Sequence, residues 1–175
     1  MNHLEDYNNN DEECREDEVR KDPYSAGIQK DPAVFEIREA LVSDAQELAE
    51  LCREAMGYDC CAAQAEAALR GLDRSREQVY TAVSNSQVLG FVHVEKYQVL
   101  YFDLMANILG LAVSQKARHQ GIGTALMQAA EAWAKAQGIT SMRLNSGAGR
   151  KEAHAFYKAI GYTNNKEQYR FIKIL

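Results

Sequence analysis

The chain has 175 residues, 46% of them hydrophobic, which is enough for one domain with a sizeable core. No window approaches 18 uninterrupted apolar residues and the N-terminus is polar and acidic, so we expect a cytoplasmic protein that uses neither a signal peptide nor a membrane. The net charge of −5 is uneven, since residues 1–22 carry −6 and the remainder +1, which argues against a general nucleic-acid binder.

The N-terminal segment, residues 1–30, combines many like charges with few aliphatic side chains. Such a composition buries too little apolar surface to order itself, so we expect a flexible acidic tail. An ordered arm that packs on a partner subunit is the alternative. Residues 31–175 are expected to form a single domain, because no linker interrupts them.

The cysteines do not indicate a metal centre or a disulfide framework. Their positions, which match no zinc or redox spacing, are Cys14, Cys52, Cys60 and Cys61. We therefore expect reduced thiols and no bound metal.

The first half of the chain predicts a strand, two helices and a hairpin. Ser43 is a candidate N-cap of the first helix, because Gln46 completes a capping box with it. The predicted elements are a strand over 33–38, helices over 43–57 and 60–69, and hairpin strands over 78–83 and 88–95. The segment 97–104 either extends this hairpin or forms a loop.

The second half alternates strands with helices. The near-continuous apolar run from Met105 to Val113 predicts a strand that is buried on both faces. The predicted elements are strands over 105–113, 141–145 and 168–175, and helices over 121–137 and 150–160. This order predicts an α/β domain in which helices flank a central sheet.

The most informative segment joins the strand that ends at Val113 to the helix that begins at Gly121. It includes Arg118-His119-Gln120-Gly121-Ile122-Gly123. Glycines let backbone N–H groups approach a ligand, and a helix N-terminus favours an anion. The spacing matches neither the P-loop nor the dinucleotide fingerprint, so on its own it indicates either an anion cradle or a plain tight turn.

Two motifs together resemble the GNAT superfamily of acetyl-CoA-dependent N-acetyltransferases. The first is Arg118-x-x-Gly121-x-Gly123 after Leu111-Ala112-Val113, and the second is Ala153 followed by Phe156-Tyr157 and Gly161-Tyr162. The resemblance covers about residues 34–175. It implies a mixed, mostly antiparallel sheet flanked by helices.

The resemblance also implies roles for individual residues. The strand end Leu111, Ala112 and Val113 would bond the pantetheine arm of acetyl-CoA, and Tyr157 would protonate the departing thiolate as general acid. The residues whose backbone N–H groups would hold the pyrophosphate are Arg118, His119, Gln120, Gly121, Ile122, Gly123 and Thr124.

Two positions depart from the family pattern. Arg150 stands where many members carry an asparagine, so the usual side-chain amide is absent there. Asn145 on the preceding strand would partly take its place. Leu109 stands where many carry a glutamate that acts as base. The candidates for the base are His93 and Glu95 on the hairpin strand, and Asp103. Alternation on a strand places His93 and Glu95 on one face, so we expect one of these two to be the base. The alternatives are that both are ordinary hairpin residues, or that solvent or an amine of low pKa makes a base unnecessary.

These motifs predict an N-acetyltransferase that transfers acetyl from acetyl-CoA to a primary amine of a small molecule. The alternatives are a non-catalytic acyl-CoA-binding or sensing module, and an acetyltransferase for protein N-termini or lysines. A homodimer stays open, because dimers are common in the family. An aromatic and acidic acceptor pocket for a cationic amine is expected from Tyr58, Asp59, Tyr97, Tyr101 and Asp103.

Overall fold

The computed structural model describes residues 34–164 and 166–175. The strands and helices follow in chain order as β1 (Glu36–Glu39), α1 (Ala45–Leu51), α2 (Ala62–Arg70), β2 (Glu77–Ser84), β3 (Gln87–Val99), β4 (Phe102–Val113), α3 (Ile122–Ala136), β5 (Met142–Leu144) and α4 (Lys151–Ala159). A π-helical turn, Cys52–Met56, continues α1. The tail predicted over residues 1–30 lies outside the described residues.

The five strands form one sheet in the order β1-β2-β3-β4-β5. The first three neighbouring pairs are antiparallel, and β4 pairs with β5 in parallel. The predicted fold class, a mixed and mostly antiparallel sheet flanked by helices, is therefore confirmed. Within the described residues, none of the helices is long and apolar enough to cross a membrane.

Apolar residues on both faces of the sheet attach the helices. On one face, Val92 and Val94 of β3 pack with Leu126 of α3 in a single buried cluster. On the other face, Phe91 packs with Leu51 of α1 in a second cluster. Because side chains alternate along a strand, successive residues of β3 face opposite sides of the sheet, which we call the α3 side and the α1 side.

The start of the first helix differs from the prediction. The residue that organises it is Asp44, which accepts a hydrogen bond from the Leu41 N–H at 2.8 Å and binds Arg38 of β1. Ser43 instead lies exposed within a short 3₁₀ turn. The capping-box prediction was wrong because a carboxylate both accepts the N–H and pairs with a cation from the neighbouring strand.

Two other segments resolve or correct the sequence prediction. The ambiguous segment 97–104 extends the hairpin, since Tyr97 of β3 pairs with Met105 of β4. The strand predicted over 168–175 was wrong, because these residues are irregular and exposed. Its apolar, β-prone sequence finds no partner strand within the described residues, and a strand is stable only when its backbone and one face are partnered.

Candidate active site

The two parallel strands, β4 and β5, separate part of the way along the sheet. β5 pairs with β4 only at Ala106, Asn107 and Ile108. Beyond Ile108, β4 continues to Val113 while pairing with β3 alone. Within the described residues, the other edge of residues 109–113 therefore has backbone groups without a strand partner, where an extended ligand with amide groups fits. Leu111, Ala112 and Val113 lie on this free edge.

A β-bulge marks the place where the strands part. His93 pairs with Gly110 and Val94 with Ile108, so Leu109 has no partner on β3. The Leu109 side chain is 48% exposed, at the position where the resemblance expects a glutamate. Bulges re-aim neighbouring side chains and occur next to active sites.

The N-terminus of α3 lies open to solvent at the end of β4. Gly121 is its N-cap, with a φ of +81°, and a side chain there would meet nothing within 4 Å. His119 also has a positive φ, at 60°, and its side chain is exposed beside the exposed Arg118. The first backbone N–H groups of a helix have no partner within it, so this turn suits an anion. Ile122 points inward and is buried, and Gly123 and Thr124 complete the turn.

Gly123 has a packing role that its sequence motif does not reveal. A methyl group at Gly123 would lie 3.3 Å from Cζ of Phe156 and 3.9 Å from Cγ2 of Val113. The absence of a side chain at Gly123 therefore lets Phe156 of α4 pack closely against α3, which itself contacts Val113 at the end of β4. Tyr157, the next residue of α4, packs against the core cluster that attaches α3 to the sheet.

Tyr157 is half-buried among aromatic rings. Its ring packs edge-on against Phe156 and Tyr162, with centroids 5.3 and 6.1 Å away. Burial raises the pKa of the Tyr157 phenol, and the positive charge of Arg150 partly offsets that effect. The phenol is therefore protonated throughout the neutral range, as a proton donor must be.

The polar residues predicted to assist the cofactor bind other parts of the protein. Nη2 of Arg150 donates to the Met56 carbonyl at 2.7 Å, which fastens the start of α4 to the turn after α1. Arg118 lies 4.0 Å from the exposed carboxylate of Glu152. Oδ1 of Asn145 accepts a hydrogen bond from Arg143 at 3.1 Å. Arg150 therefore links α4 to the segment that follows α1.

The two predicted base candidates, His93 and Glu95, lie two residues apart on β3, and their side chains face the α1 side of the sheet. Nε2 of His93 is 2.8 Å from Oε2 of Glu77 on β2. Oε1 of Glu95 accepts a hydrogen bond from Nδ2 of Asn107 on β4 at 2.9 Å. The structure therefore brings together His93 and Glu95, as alternation predicts, and adds Glu77 and Asn107, which the sequence did not single out as functional.

Two clefts open on the surface of the domain, and only the first borders these groups. One of about 200 Å³ is lined by Asp73, Arg76, Glu77 and Glu95. The other, of about 280 Å³, lies between α3 and α4, and its lining includes Thr124 and Ile160. In the acceptor region expected from sequence, Tyr97 instead carries the Arg143 guanidinium 4.5 Å above its ring, and Tyr101 lies exposed at the hairpin tip.

Solved structures share this architecture. A transcriptional regulator from Bacillus halodurans C-125 gives a TM-score of 0.73 at 21% identity, covering 80% of this chain and 100% of its own. An aminoglycoside antibiotic 6'-N-acetyltransferase from Acinetobacter baumannii gives 0.70 at 18% identity, covering 81% and 99%. An aminoglycoside N-acetyltransferase in complex with CoA gives 0.71 at 14% identity, covering 81% and 95%. At these identities the likeness shows a shared fold.

The sequence itself identifies the family. No curated protein sequence matches the chain significantly. The model of the acetyltransferase (GNAT) family matches residues 38–162, from β1 to just beyond α4, and so includes both sequence motifs and the parted strands. The chain therefore belongs to the GNAT family of acetyltransferases and is an acyltransferase enzyme.

Proposed function

We propose that this enzyme transfers the acetyl group of acetyl-CoA to a primary amine of a small molecule. The observation that carries the proposal is the free edge of β4 over residues 109–113, which ends beside the open N-terminus of α3. A pantetheine arm has amide groups that pair with such an edge, and a pyrophosphate suits such a helix end.

The residues that would hold acetyl-CoA divide into two groups. Leu111, Ala112 and Val113 would bind the pantetheine arm through the main chain. The backbone from Arg118 to Thr124 would bind the pyrophosphate, with the Arg118 guanidinium adding a full positive charge. The co-substrate supplies an acetyl thioester, and an amide is formed from it.

The acceptor would enter from the α1 side of the sheet, where the cleft of about 200 Å³ is acidic. Three of its four charged lining residues, Asp73, Glu77 and Glu95, are carboxylates. Such a surface attracts an ammonium group, in keeping with a cationic amine. These carboxylates replace the pocket expected from Tyr97 and Tyr101, because Arg143 already occupies the face of the Tyr97 ring.

The proposed reaction needs a base for the acceptor ammonium, a hydrogen-bond donor for the oxyanion and an acid for the departing thiolate. Glu95 or His93 takes a proton from the acceptor ammonium, so that the neutral nitrogen forms a bond to the thioester carbonyl carbon. A backbone N–H of the β4 edge near Val113 would stabilise the oxyanion. The carbon–sulfur bond then breaks and Tyr157 donates a proton to the thiolate, while the amide nitrogen loses its second proton to solvent, from which the Tyr157 phenolate is reprotonated. The products are an acetylated amine and free CoA thiol.

The test is to incubate the protein with acetyl-CoA and a panel of amines, measuring thiol release and product mass together. The panel includes aminoglycosides, diamines, simple monoamines, and peptides with free N-termini or lysines. Amine-dependent thiol release with an acetylated small-molecule product supports the proposal. Acetylation of peptides alone would assign the enzyme to protein substrates, and absence of any amine-dependent turnover would overturn the proposed function.

A further inference from the structure

We propose that Asn107 is a positioning residue that holds the carboxylate of Glu95 against β4, and that Glu95 rather than His93 is the base. This inference rests on the proposed function and deepens it. β4 itself carries no titratable side chain from residue 104 to residue 113, so a base for an amine near the bulge has to come from a neighbouring strand. The adjacent strand on the paired edge is β3.

Register places Glu95 where it reaches β4. Glu77, Glu95, Asn107 and Arg143 pair in one continuous row across β2, β3, β4 and β5. Paired residues share a face of the sheet, so the four side chains form one polar line on the α1 side. Asn107 stands two residues before the bulged Leu109, and it is the member of the row that contacts Glu95 through a hydrogen bond.

The hydrogen bonding of Asn107 is typical of a group kept for function. Asn107 is 8% exposed, and its Nδ2 donates to Glu95. Its Oδ1 is buried and has no hydrogen-bond partner among the described residues. The large majority of buried side-chain polar atoms have a hydrogen-bond partner, and each exception calls for an explanation. Holding a reactive carboxylate explains why an amide stands in this apolar strand.

The surrounding charges favour Glu95 over its neighbours. The ring of His93 is engaged by the Glu77 carboxylate, so these two groups already satisfy each other. Asp73 and Arg76 line the cleft beside Glu95, and Arg143 on β5 is stacked on Tyr97. Glu95 is therefore the carboxylate that is anchored to β4 by a neutral donor and still borders the cleft.

Two substitutions of Asn107 separate positioning from packing. Asn107→Leu keeps the volume but removes the donor, and we expect kcat/KM for the amine to fall by about 10- to 100-fold. KM for acetyl-CoA should change by less than about threefold, and the melting temperature should not fall, because an unsatisfied buried oxygen is removed at the same time. Asn107→Asp should move the acid limb of the pH–rate profile to higher pH, since two adjacent carboxylates retain a proton more strongly.

Gln78→Leu is the matched control. Gln78 is also a buried amide on the sheet, but its Oε1 accepts hydrogen bonds from Arg74 and from the Val79 N–H. Its loss should lower the melting temperature while leaving the pH–rate profile unchanged. This contrast distinguishes a structural amide from the one that we assign to Glu95.

The possible results are distinct. A wild-type kcat/KM in Asn107→Leu, or an acid limb in Asn107→Asp that coincides with wild type, would overturn the inference. If the wild-type protein acetylates no amine, the proposed function fails, and the inference is then tested by ¹³C NMR of labelled glutamate. In that experiment the Glu95 carboxyl should titrate at higher pH in Asn107→Asp than in wild type, and an unchanged titration would count against positioning.

Discussion

At the scale of single residues, Tyr157 combines the properties that a proton donor for a thiolate requires. Its phenol is half-buried, and the resulting upward shift of its pKa keeps the proton in place at neutral pH. Phe156 and Tyr162 restrict the ring from two sides. A donor that is already oriented and protonated costs little reorganisation when the carbon–sulfur bond breaks.

We predict that Tyr157→Phe lowers kcat by about 100-fold while KM for acetyl-CoA stays within about twofold, because the variant loses only a proton donor. Since the pKa of Tyr157 lies above its usual value near 10, the wild-type enzyme should show no alkaline loss from this group between pH 7 and 9. Tyr162→Phe is the control. Because the Tyr162 hydroxyl donates a hydrogen bond to Glu131, its loss should leave kcat unchanged. Equal steady-state rates for Tyr157→Phe and wild type would contradict the assignment.

Gly121 shows how a residue without a side chain shapes the anion site. Its positive φ is a conformation that an L-residue adopts only at a cost, although the space around it is open. Gly121→Ala should therefore lower the free energy of unfolding by about 1–2 kcal/mol and weaken acetyl-CoA binding by displacing the start of α3.

Gly147→Ala is the comparison for this prediction, because Gly147 also has open space but no positive φ. Denaturant unfolding of both variants should show a loss only for Gly121→Ala. If the two alanine variants unfold alike, backbone strain is not what requires glycine at position 121.

At the scale of secondary-structure elements, one partly buried ion pair joins β1 to the start of α1. Arg38 binds both carboxylate oxygens of Asp44, at 2.7 and 2.8 Å, and also contacts Thr81 of β2. Asp44 is 4% exposed. Burial would raise the pKa of its carboxyl, but Arg38 and the Leu41 N–H outweigh burial, so the pKa is lowered.

We predict that Asp44→Asn reduces the free energy of unfolding by about 2 kcal/mol at pH 7, because the partly buried Arg38 loses its counter-ion and a charge-assisted hydrogen bond. A lowered folded-state pKa means that Asp44 stabilises the fold above the unfolded value near 3.9 and loses that effect as pH falls through the folded value. The difference between variant and wild type should therefore shrink below pH 4.

Glu39→Gln provides the matched comparison for Asp44→Asn. The Glu39–Arg74 pair is about half exposed on both sides, so its loss should cost less than about 0.5 kcal/mol. Urea unfolding at pH 7 and pH 3 measures both variants. A pH-independent effect of Asp44→Asn would show that packing, rather than charge, accounts for the loss.

The limits of sequence interpretation are clearest at the shift in register between β2 and β3. The Asn85-Ser86 turn has positive φ at both residues, and counting back from it without interruption would pair Glu77 with Val94, on the α3 side. A shift in register near Ala82 pairs Glu77 with Glu95 instead. Because a one-residue slip reverses every side chain, the partners of His93 and Glu95 could not be found from alternation alone.

At the scale of the whole molecule, the sheet separates the proposed acetyl-CoA surface from the proposed acceptor surface. The α3 N-terminus and α4 are attached through the first core cluster, whereas α1 and the Glu95 side chain lie across the sheet. The gap between β4 and β5 connects the two sides. In the proposed reaction, acetyl-CoA and the amine therefore approach from different sides and meet at the bulge, without competing for one pocket.

Much of this organisation is local in sequence and was predictable. The glycine turn with the apolar strand before it, and the Phe156-Tyr157 pair, are each short patterns of neighbouring residues, so the sequence alone was enough to predict an acetyl-CoA side. The acceptor side depends on contacts between distant strands, such as Asn107 with Glu95, and on where β5 stops pairing. The strand predicted over 168–175 failed for the same reason, since propensity does not specify a partner.

Calorimetric titration of the purified protein with acetyl-CoA tests the central claim most directly. We predict one site with a micromolar Kd, about tenfold weaker binding in Arg118→Ala, and no binding of ATP. Arg70→Ala, which removes an exposed arginine that pairs with Glu66 on α2, should leave Kd unchanged. A folded protein that binds no acetyl-CoA, or binds ATP equally well, would contradict the assignment of the β4 edge and the α3 N-terminus as the acetyl-CoA site.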